Sequence, residues 1–334
     1  MSLLAQRRIA VQNGGNPSFY TELDSAIIHA QAGDSIFLPG GIFQTNLDSI
    51  NKTIHLIGVG HNPDSSQATG RTKILGAVIL VNGADFSSFS GIYFEDELIV
   101  GTSPSNVQVS ALKIDQCNWY KILLSYAFAV SSGSYGHQIT RCVVRKELWG
   151  GYSTDGLIAN NIFGWKVSYF ASGNQFLNNI FSRDATGFGC NTFFNISFCE
   201  FRNNIILNNC DIGDTEFEDN FLSHNYIITG TGGGWDNRNE LNNNLINQPF
   251  AGLFQNVGTA QFNAFYYSYD YRLASPVAQG FGTDGTDLGV YGGVFPWKEG
   301  QIPFQPHYQS VTIDPMTDGS DSLRVKIRVE AQKR

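Results

Sequence analysis

An apolar–Asn–apolar segment recurs along the middle of the chain and sets its hydrophobic pattern. Clear copies cover residues 157–163, 176–181 and 201–206, and looser copies cover 222–227 and 241–246. Two upstream segments fit the same frame with Cys in the Asn place. We call this Asn or Cys position zero, and it recurs every 18 to 25 residues, at Cys117, Cys142, Asn161, Asn179, Asn204, Asn225 and Asn244. A repeat of this length is typical of a solenoid.

Two columns of apolar residues accompany position zero. The third residue before it and the second residue after it are apolar in all seven copies, although only 42% of the chain is hydrophobic. The pattern therefore predicts two stacks in the interior of the solenoid. The earlier stack is Ile114, Ile139, Ile158, Phe176, Phe201, Leu222 and Leu241, and the later one is Trp119, Val144, Phe163, Phe181, Ile206, Ile227 and Ile246.

The Asn column predicts a corner that repeats in every turn. Asn tolerates the left-handed backbone region that a tight corner requires. Its amide can also donate to and accept from the same amide one turn away, as in stacked Asn ladders, with neighbouring turns about 4.8 Å apart. Cys117 and Cys142 occupy the same place and are expected to stack as buried thiols. A disulfide between them requires suitable geometry.

Both ends of the chain differ from the repeat. Tyr20, Leu23, Ile27 and Ala30 have a spacing close to helical, and Gly33-Asp34 ends this segment before a short strand at 35–38. At the other end, residues 322–330 alternate strictly between apolar and polar, which predicts a half-exposed strand. We expect this strand to fold back on the body, to cover an edge or to lead to a partner.

The order of helix, Gly-Asp, strand and Pro-Gly-Gly at residues 19–41 resembles the amino-terminal cap of secreted right-handed parallel β-helix proteins, the pectin-lyase-like group. The polar loop at 61–72 is similar to that of a bacterial subfamily of these proteins. The resemblance implies an all-β, single-stranded right-handed parallel β-helix of about 10 to 12 coils with an N-terminal capping helix and a C-terminal extended tail. We expect a cap at 7–34, the β-helix at 35–293 and an extension with a final strand at 294–334.

Composition and sequence motifs argue against several classes of partner and predict a location. A net charge of −8 and the absence of a basic stripe argue against nucleic acid, and no run of about 18 apolar residues predicts a membrane span. The five Cys include no Cys-x-x-Cys pair, so no zinc site is expected. Leu4-Ala5-Gln6 resembles the remainder of a signal-peptide cleavage site, which predicts a secreted or cell-surface protein.

The repeat also predicts a patch of charged residues. Four and five residues after position zero stand Lys146-Glu147, Trp165-Lys166 and Arg183-Asp184, so Lys146, Glu147, Lys166, Arg183 and Asp184 should share one surface. A polysaccharide lyase would use Lys166 and Arg183 as base and cation, because stacked cations lower a lysine pKa. A glycoside hydrolase would use Glu147 and Asp184 as its two carboxylates. The alternative is a solvated column of ion pairs that has no catalytic role and contributes little to stability.

Aromatic residues near this patch suggest a sugar-binding surface. The aromatic residues that could stack on sugar rings are Trp149, Tyr152, Trp165, Tyr169 and Trp235, with Lys146 and Arg238 as polar contacts. Alternatively, these rings pack loops onto the coil. An acidic cluster at residues 211–219 could hold Ca²⁺, although its spacing does not match an EF-hand, and we expect no cofactor.

Two functions therefore compete. The first is a secreted or surface protein that binds polysaccharide in a groove beside the long strand face, with cleavage by a lyase or glycoside hydrolase mechanism as its catalytic form. The second is a non-catalytic structural or adhesion module that binds glycan or protein. The fold alone does not distinguish these two functions, because function depends on the residues that line the groove.

Overall fold

The chain coils through three parallel β-sheets, and each turn visits sheet 1, sheet 2 and sheet 3 in that order. The computed structural model describes residues 8–12, 14–64, 69–102, 107–126, 133–182, 192–207, 217–228, 238–257, 265–298, 306–314, 317 and 322–331. Within these ranges the protein is an all-β parallel solenoid of about eight turns with one α-helix, Leu23–His29. The predicted fold class is confirmed.

The strands of the three sheets are short and lie in register from turn to turn. Sheet 1 contains Ser18–Tyr20, Ile9–Gln12, Asp34–Phe37, Ile54–Ile57, Ser88–Ser90, Lys113–Asp115, Gln138–Thr140, Leu157–Ala159, Gln175–Leu177, Glu200–Arg202, Phe221–Ser223 and Glu240–Asn242. Sheet 2 contains Gly41–Gln44, Thr72–Leu75, Tyr93–Phe94, Asn118–Trp119, Val143–Val144, Ile162–Phe163, Ile180–Phe181, Ile205–Ile206 and Tyr226–Ile227. Sheet 3 contains Val78–Leu80, Glu97–Val100, Lys121–Leu123, Leu148–Ser153, Val167–Phe170, Phe193–Ser197 and Phe217–Glu218.

The two predicted apolar columns form the inner core in the first six copies, where every member is fully buried. Their aromatic rings stack along the axis, with centroids 4.5 Å apart for Phe176 and Phe201 and 5.2 Å apart for Phe163 and Phe181. In the last copy Leu241 is 40% exposed, because the described coil ends there.

The corner between sheets 1 and 2 is built from an Asn pair whose members do different work. The second Asn, at position zero, forms the ladder: Asn179 Oδ1 accepts from the backbone N–H and the Nδ2 of Asn161, and Asn179 Nδ2 donates to Asn204 Oδ1 and to the Ile158 carbonyl. The first residue of the pair takes the left-handed backbone, with φ near 55° at Asn160, Asn178 and Asn203. The sequence predicts both features but places them on one residue.

The cysteines extend this ladder upstream. The Cys142 backbone N–H donates to Asn161 Oδ1 at 2.8 Å, and the Cys117 backbone N–H donates to Cys142 Sγ at 3.4 Å. Both are free, buried thiols, and burial raises the pKa of each well above its usual value. The predicted thiol stack is confirmed, and the two sulfurs are not bonded.

A second Asn ladder occupies the corner between sheets 3 and 1. Asn220 Oδ1 accepts from the Cys199 backbone N–H, Asn239 Oδ1 accepts from the Asn220 backbone N–H, and Asn174 Oδ1 accepts from the Gly156 backbone N–H. These residues recur at the same spacing as the first ladder, but the pattern of single Asn residues was not recognised in the sequence.

Residues after the last coil cover the outside of sheet 2. We call this part, residues 253–257 and 265–297, the outer cover. It includes the strands Phe254–Asn256 and Asp270–Leu273 and the short 3₁₀ helix Gly289–Tyr291. Its apolar side chains pack on the outward residues of sheet 2, such as Ile162, Ile180 and Ile205. Asn160 Nδ2 donates to the Val290 and Gly292 carbonyls, and Asn178 and Asn203 bond to Asp287 and Thr283, so the first Asn of these three pairs holds the cover.

The solenoid has about eight turns in the described part of the chain, fewer than the 10 to 12 expected. The last described contact of the solenoid in coil register is the bridge between Tyr226 and Leu245. The described residues at 253–257 and 265–293, which were predicted to belong to the β-helix, pack on the outside of sheet 2.

The two ends of the chain form antiparallel structures. The capping helix buries Leu23, Ala26 and Ile27 beside the antiparallel strands Ile9–Gln12 and Ser18–Tyr20. The predicted final strand, Val325–Glu330, pairs with His307–Ile313 in a hairpin. Among the described residues no helix is long and apolar enough to cross a bilayer.

Replacing Asn179 by Ala should destabilise the protein strongly. The change removes the acceptor of the buried Asn161 N–H and a donor to the Ile158 carbonyl, and each orphaned buried group costs about 1–3 kcal/mol. We expect a loss of about 3 kcal/mol or more in the free energy of unfolding, measured by urea denaturation. The matched control is Asn178→Gly, which keeps a left-handed corner and loses only the 3.3 Å bond to the Asp287 carbonyl, so it should cost about 1 kcal/mol. Equal losses would contradict the division of work within the pair.

Stability should fall as the pH drops below about 6.5, because two histidines are buried in the neutral form. Burial lowers the pKa of His61 to about 3 and that of His137 to about 4, from 6.5. Between these values the unfolded chain binds more protons than the folded one, so acid favours unfolding, by about 2 kcal/mol per histidine at pH 5. Urea denaturation at about pH 7, 6 and 5 measures this slope. His137→Leu should reduce it by about half, and an unchanged slope would contradict the burial of neutral His137.

Candidate functional site

The candidate site lies on the outer face of sheet 3. Adjacent residues of a strand point to opposite faces. Leu148, Val167 and Phe193 are fully buried in the core, so the residues that follow them point outward. The parallel register places these outward residues, Trp149, Ser168 and Phe194, on three successive turns.

Four rings form a continuous cluster on this surface, and we call Trp149, Tyr152, Tyr169 and Phe194 the aromatic face. Tyr169 is at its centre. Its ring stacks on Trp149 with centroids 3.7 Å apart, meets the edge of Tyr152 at 5.3 Å and lies 5.3 Å from Phe194. Trp149 is buried beneath the others, whereas Tyr152, Tyr169 and Phe194 are half-buried. The solvent-facing part of the cluster is therefore formed by tyrosine and phenylalanine rings.

The backbone under the aromatic face is strained. Tyr152, Tyr169 and Asn195 have φ of 57°, 58° and 53°. The register pairs Ser153 with Phe170 and Phe170 with Ile196. The residues that precede them, Tyr152, Tyr169 and Asn195, therefore form one column. The left-handed region costs a bulky residue about 1–3 kcal/mol and persists where the surroundings enforce it, often at ligand sites. Asn195 Nδ2 also donates to Tyr152 Oη at 2.9 Å, which fixes the outer tyrosine.

A row of charges borders the aromatic face where the chain enters sheet 3. We call Lys121, Glu147 and Lys166 the charged row, since the register stacks them on successive turns. Lys121 Nζ lies 3.4 Å from Glu147 Oε2, and Ser168 Oγ donates to Glu147 Oε1 at 2.9 Å. Glu147 is only 6% exposed. Lys166 Nζ lies 4.1 Å from the centroid of the Phe194 ring, which joins the row to the aromatic face.

The corner between sheets 2 and 3 adds an exposed ring. Trp165 is 39% exposed, and Lys146 Nζ lies 5.9 Å from the centre of its ring system. This corner precedes the charged row in the chain, because Trp165 comes directly before Lys166. Trp165 therefore extends the apolar surface beyond the charged row toward sheet 2.

The structure brings together seven of the eleven residues named from the sequence. Those on the outer face of sheet 3 or at its border are Lys146, Glu147, Trp149, Tyr152, Trp165, Lys166 and Tyr169. Arg238 lies at the corner between sheets 3 and 1, where it forms a bidentate pair with Asp219 and holds the pKa of that carboxyl below its usual value. Arg183, Asp184 and Trp235 lie outside the described residues.

Several residues of the site were not selected from the sequence. Tyr169 was noticed among the aromatics, but Lys121, Ser168, Phe194 and Asn195 were not assigned to the site. Phe194 and Asn195 are separated from their position zero by the variable segment 183–191, so counting from the Asn corner does not reach them. The Lys121–Glu147 pairing needs the register of sheet 3, which the corner repeat predicts only approximately.

No metal site is apparent in the part of the chain that the structure describes, where no three His, Cys, Asp or Glu side chains are grouped to hold an ion. Residues 211, 214 and 216 of the acidic cluster lie outside that part, while Glu218 and Asp219 pair with Arg238. The calcium hypothesis stays a prediction.

Comparison with known proteins adds no assignment. No protein-family model matches the chain, and a search of curated proteins found no match.

The Lys121–Glu147 pair should be energetically coupled, because Glu147 is shielded from water. We expect Glu147→Gln and Lys121→Met to destabilise the fold by about 1–3 kcal/mol each, and the double variant to show a coupling of about 1 kcal/mol or more. Urea denaturation of the four proteins measures this cycle. The surface pair Arg202–Glu200, at 3.4 Å, is the control and should couple more weakly. Additive losses at Lys121 and Glu147 would favour the solvated ion-pair column.

Proposed function

We propose that this protein binds polysaccharide on the outer face of sheet 3, with the sugar chain lying across the aromatic face. The observation that carries the proposal is Tyr169, a strained residue whose ring contacts three other rings on the outside of the solenoid. A packed core does not require an outward tyrosine in this conformation. Aromatic faces offer the apolar surface on which the C–H face of a sugar ring can pack.

The neighbouring polar groups suit the rim of such a site. Lys146 and Lys166 border the aromatic rings and can donate to sugar hydroxyls or acidic groups. Asn195 and Tyr152 provide further donors and acceptors beside the rings. Small-ligand sites commonly combine an apolar floor with a few placed polar groups.

The described geometry favours binding over cleavage. Glu147, a catalytic candidate, has Oε1 bonded to Ser168 and Oε2 paired with Lys121. A carboxylate held by two partners and shielded from water is poorly placed to transfer a proton to a substrate. The lyase or hydrolase hypothesis therefore rests on Arg183 and Asp184, which lie outside the described residues. The non-catalytic glycan-binding or adhesion module, the second function in the sequence analysis, is therefore our first candidate.

Membership of the pectin-lyase-like β-helix proteins, and a secreted or cell-surface location, are part of the same proposal. Both are supported by the parallel solenoid with its N-terminal helix, together with the resemblance at residues 19–41 and 61–72. Structural polysaccharides occur outside the cell, where a secreted or cell-surface protein would encounter them.

The proposal predicts that removing rings from sheet 3 weakens glycan binding. Affinity electrophoresis against neutral and acidic polysaccharides should identify a ligand. Tyr169→Ala and Trp165→Ala should each then weaken binding by about 5- to 30-fold, equivalent to about 1–2 kcal/mol of stacking. The control is Phe86→Ala, which removes an exposed ring far from the aromatic face.

Unchanged affinity in both sheet 3 variants, with folding intact by circular dichroism, would contradict the proposal. The same panel tests cleavage by the release of new chain ends. If the protein cleaves a polysaccharide and Lys166→Ala abolishes this turnover, the protein is an enzyme and not a binding module.

A further inference from the structure

A second cluster of polar residues lies on the outer face of sheet 2, near the N-terminal end of the solenoid. Ile74 and Phe94 are fully buried in the core, so the residues that precede them, Lys73 and Tyr93, point outward. Tyr93 pairs in register with Asn118 on the next turn. This part of sheet 2 differs from the later turns, whose outward residues are apolar and packed under the outer cover.

Three cations surround the Tyr93 ring. The guanidinium carbon of Arg71 lies 3.9 Å from the ring centroid, that of Arg145 lies 4.6 Å away, and Lys73 Nζ lies 5.5 Å away. Arg145 Nη1 also donates to Tyr93 Oη at 2.6 Å. We call Arg71, Lys73, Tyr93 and Arg145 the Tyr93 cluster.

The positive charge of this cluster is only partly balanced. Glu95 pairs with Lys73 at 2.5 Å, and the surrounding cations hold the pKa of Glu95 below its usual value, Lys73 foremost. The Arg145 guanidinium is bonded to neutral groups, the Phe94 and Glu95 carbonyls and Tyr93 Oη. Arg71 has no carboxylate partner among the described residues. One carboxylate thus faces three cations in a chain whose net charge is −8.

The surroundings of the cluster are ordered by the outer cover. Tyr267 Oη donates to the His61 carbonyl at 3.0 Å and accepts from Asn118 Nδ2 at 2.9 Å. Because Asn118 pairs in register with Tyr93, its bond to Tyr267 Oη places that hydroxyl beside the cluster. Three buried atoms there, His61 Nε2, Asn118 Oδ1 and Arg145 Nε, have no hydrogen-bond partner in the described structure.

Unbalanced, partly buried guanidinium groups are costly unless an anion compensates them. Guanidinium groups also match the geometry of oxyanions, with which they form short, charge-assisted hydrogen bonds. The stacking of Arg71 and Arg145 on Tyr93 restrains both groups in advance of binding, which lowers the entropic cost of holding an anion.

We propose that the Tyr93 cluster is an oxyanion-binding site that takes a sulfate, phosphate or carboxylate group through Arg71, Arg145 and Lys73. It lies on sheet 2, whereas the proposed glycan surface lies on sheet 3, and it does not depend on that function. The oxyanion can be a free inorganic ion or a group carried by an acidic sugar, and both present the same atoms to the cluster.

Equilibrium dialysis with radiolabelled sulfate, in a chloride background of constant ionic strength, tests the proposal on the full chain. Unlabelled phosphate, glucuronate and neutral glucose serve as competitors. We expect saturable sulfate binding that phosphate or glucuronate displaces and glucose does not. Displacement by phosphate alone would assign the site to an inorganic ion, and stronger displacement by glucuronate would assign it to an acidic sugar.

Two variants move the affinity in opposite directions. Arg71→Ala should weaken sulfate binding by about 10-fold or more, because it removes one of the three cations around the Tyr93 ring. Glu95→Gln should strengthen binding by about 3-fold or more, because it releases Lys73 from its carboxylate. A purely structural cluster would not bind more tightly after the second change. Lys113→Ala, an exposed lysine on sheet 1, is the control and should leave the affinity unchanged.

The proposal is overturned if none of the three anions, sulfate, phosphate and glucuronate, binds saturably. It is equally overturned if Arg71→Ala and Lys113→Ala weaken binding to the same extent, or if Glu95→Gln fails to strengthen it. Circular dichroism and the thermal unfolding midpoint of each variant separate a lost site from a lost fold. We leave out Arg145→Ala, because Arg145 bonds two backbone carbonyls at the end of a sheet 2 strand and its removal would disturb the strand itself.

Discussion

The structure depends on the hydrogen bonds that Asn side chains make between successive turns. At the corner between sheets 1 and 2, each amide oxygen from Asn179 to Asn244 accepts the backbone N–H of the corner residue one turn earlier, and each amide nitrogen donates to a carbonyl of that turn. Buried backbone groups that water cannot reach are thereby paired. Because the bonds join equivalent residues, they also fix the register of every strand that follows the corner. A slip of one residue would turn the apolar columns outward.

Fixed register turns a one-dimensional sequence into columns on the outside of the solenoid. On sheet 3 it aligns Tyr152 with Tyr169, and Glu147 between Lys121 and Lys166. On sheet 2 it aligns Lys73, Tyr93 and Asn118 at one end and an apolar stripe at the other. The apolar stripe is covered by the chain itself, whereas the polar end of sheet 2 and the outer face of sheet 3 carry the two proposed binding surfaces. Asn160, Asn178 and Asn203 both form the left-handed corner and hold the cover in place.

Much of the fold was predictable, because the same residues that specify it are the ones that repeat. The two apolar columns, the ladder and the cysteine stack follow from counting to position zero, and so does the grouping of Lys146, Glu147 and Lys166. Prediction was poorer where distance from that corner grows. Sheet 3 follows segments of variable length, which hid Phe194 and Asn195. The burial of Trp149 depends on Tyr169 one turn away. The outer cover has no period, so it was predicted as further coils. The Tyr93 cluster joins Arg71 and Arg145, which lie three turns apart.

The central claim is that aligned, strained tyrosines on sheet 3 form a surface for a sugar chain. A crystal structure of the protein with an oligosaccharide of the polysaccharide that it binds would test this claim most directly. The account predicts a sugar ring packed over Tyr169 and Tyr152, with its hydroxyl groups within hydrogen-bonding distance of Lys166 or Asn195 and the backbone column unchanged. An oligosaccharide bound on another surface, with the outer side of Tyr169 exposed to solvent, would contradict it.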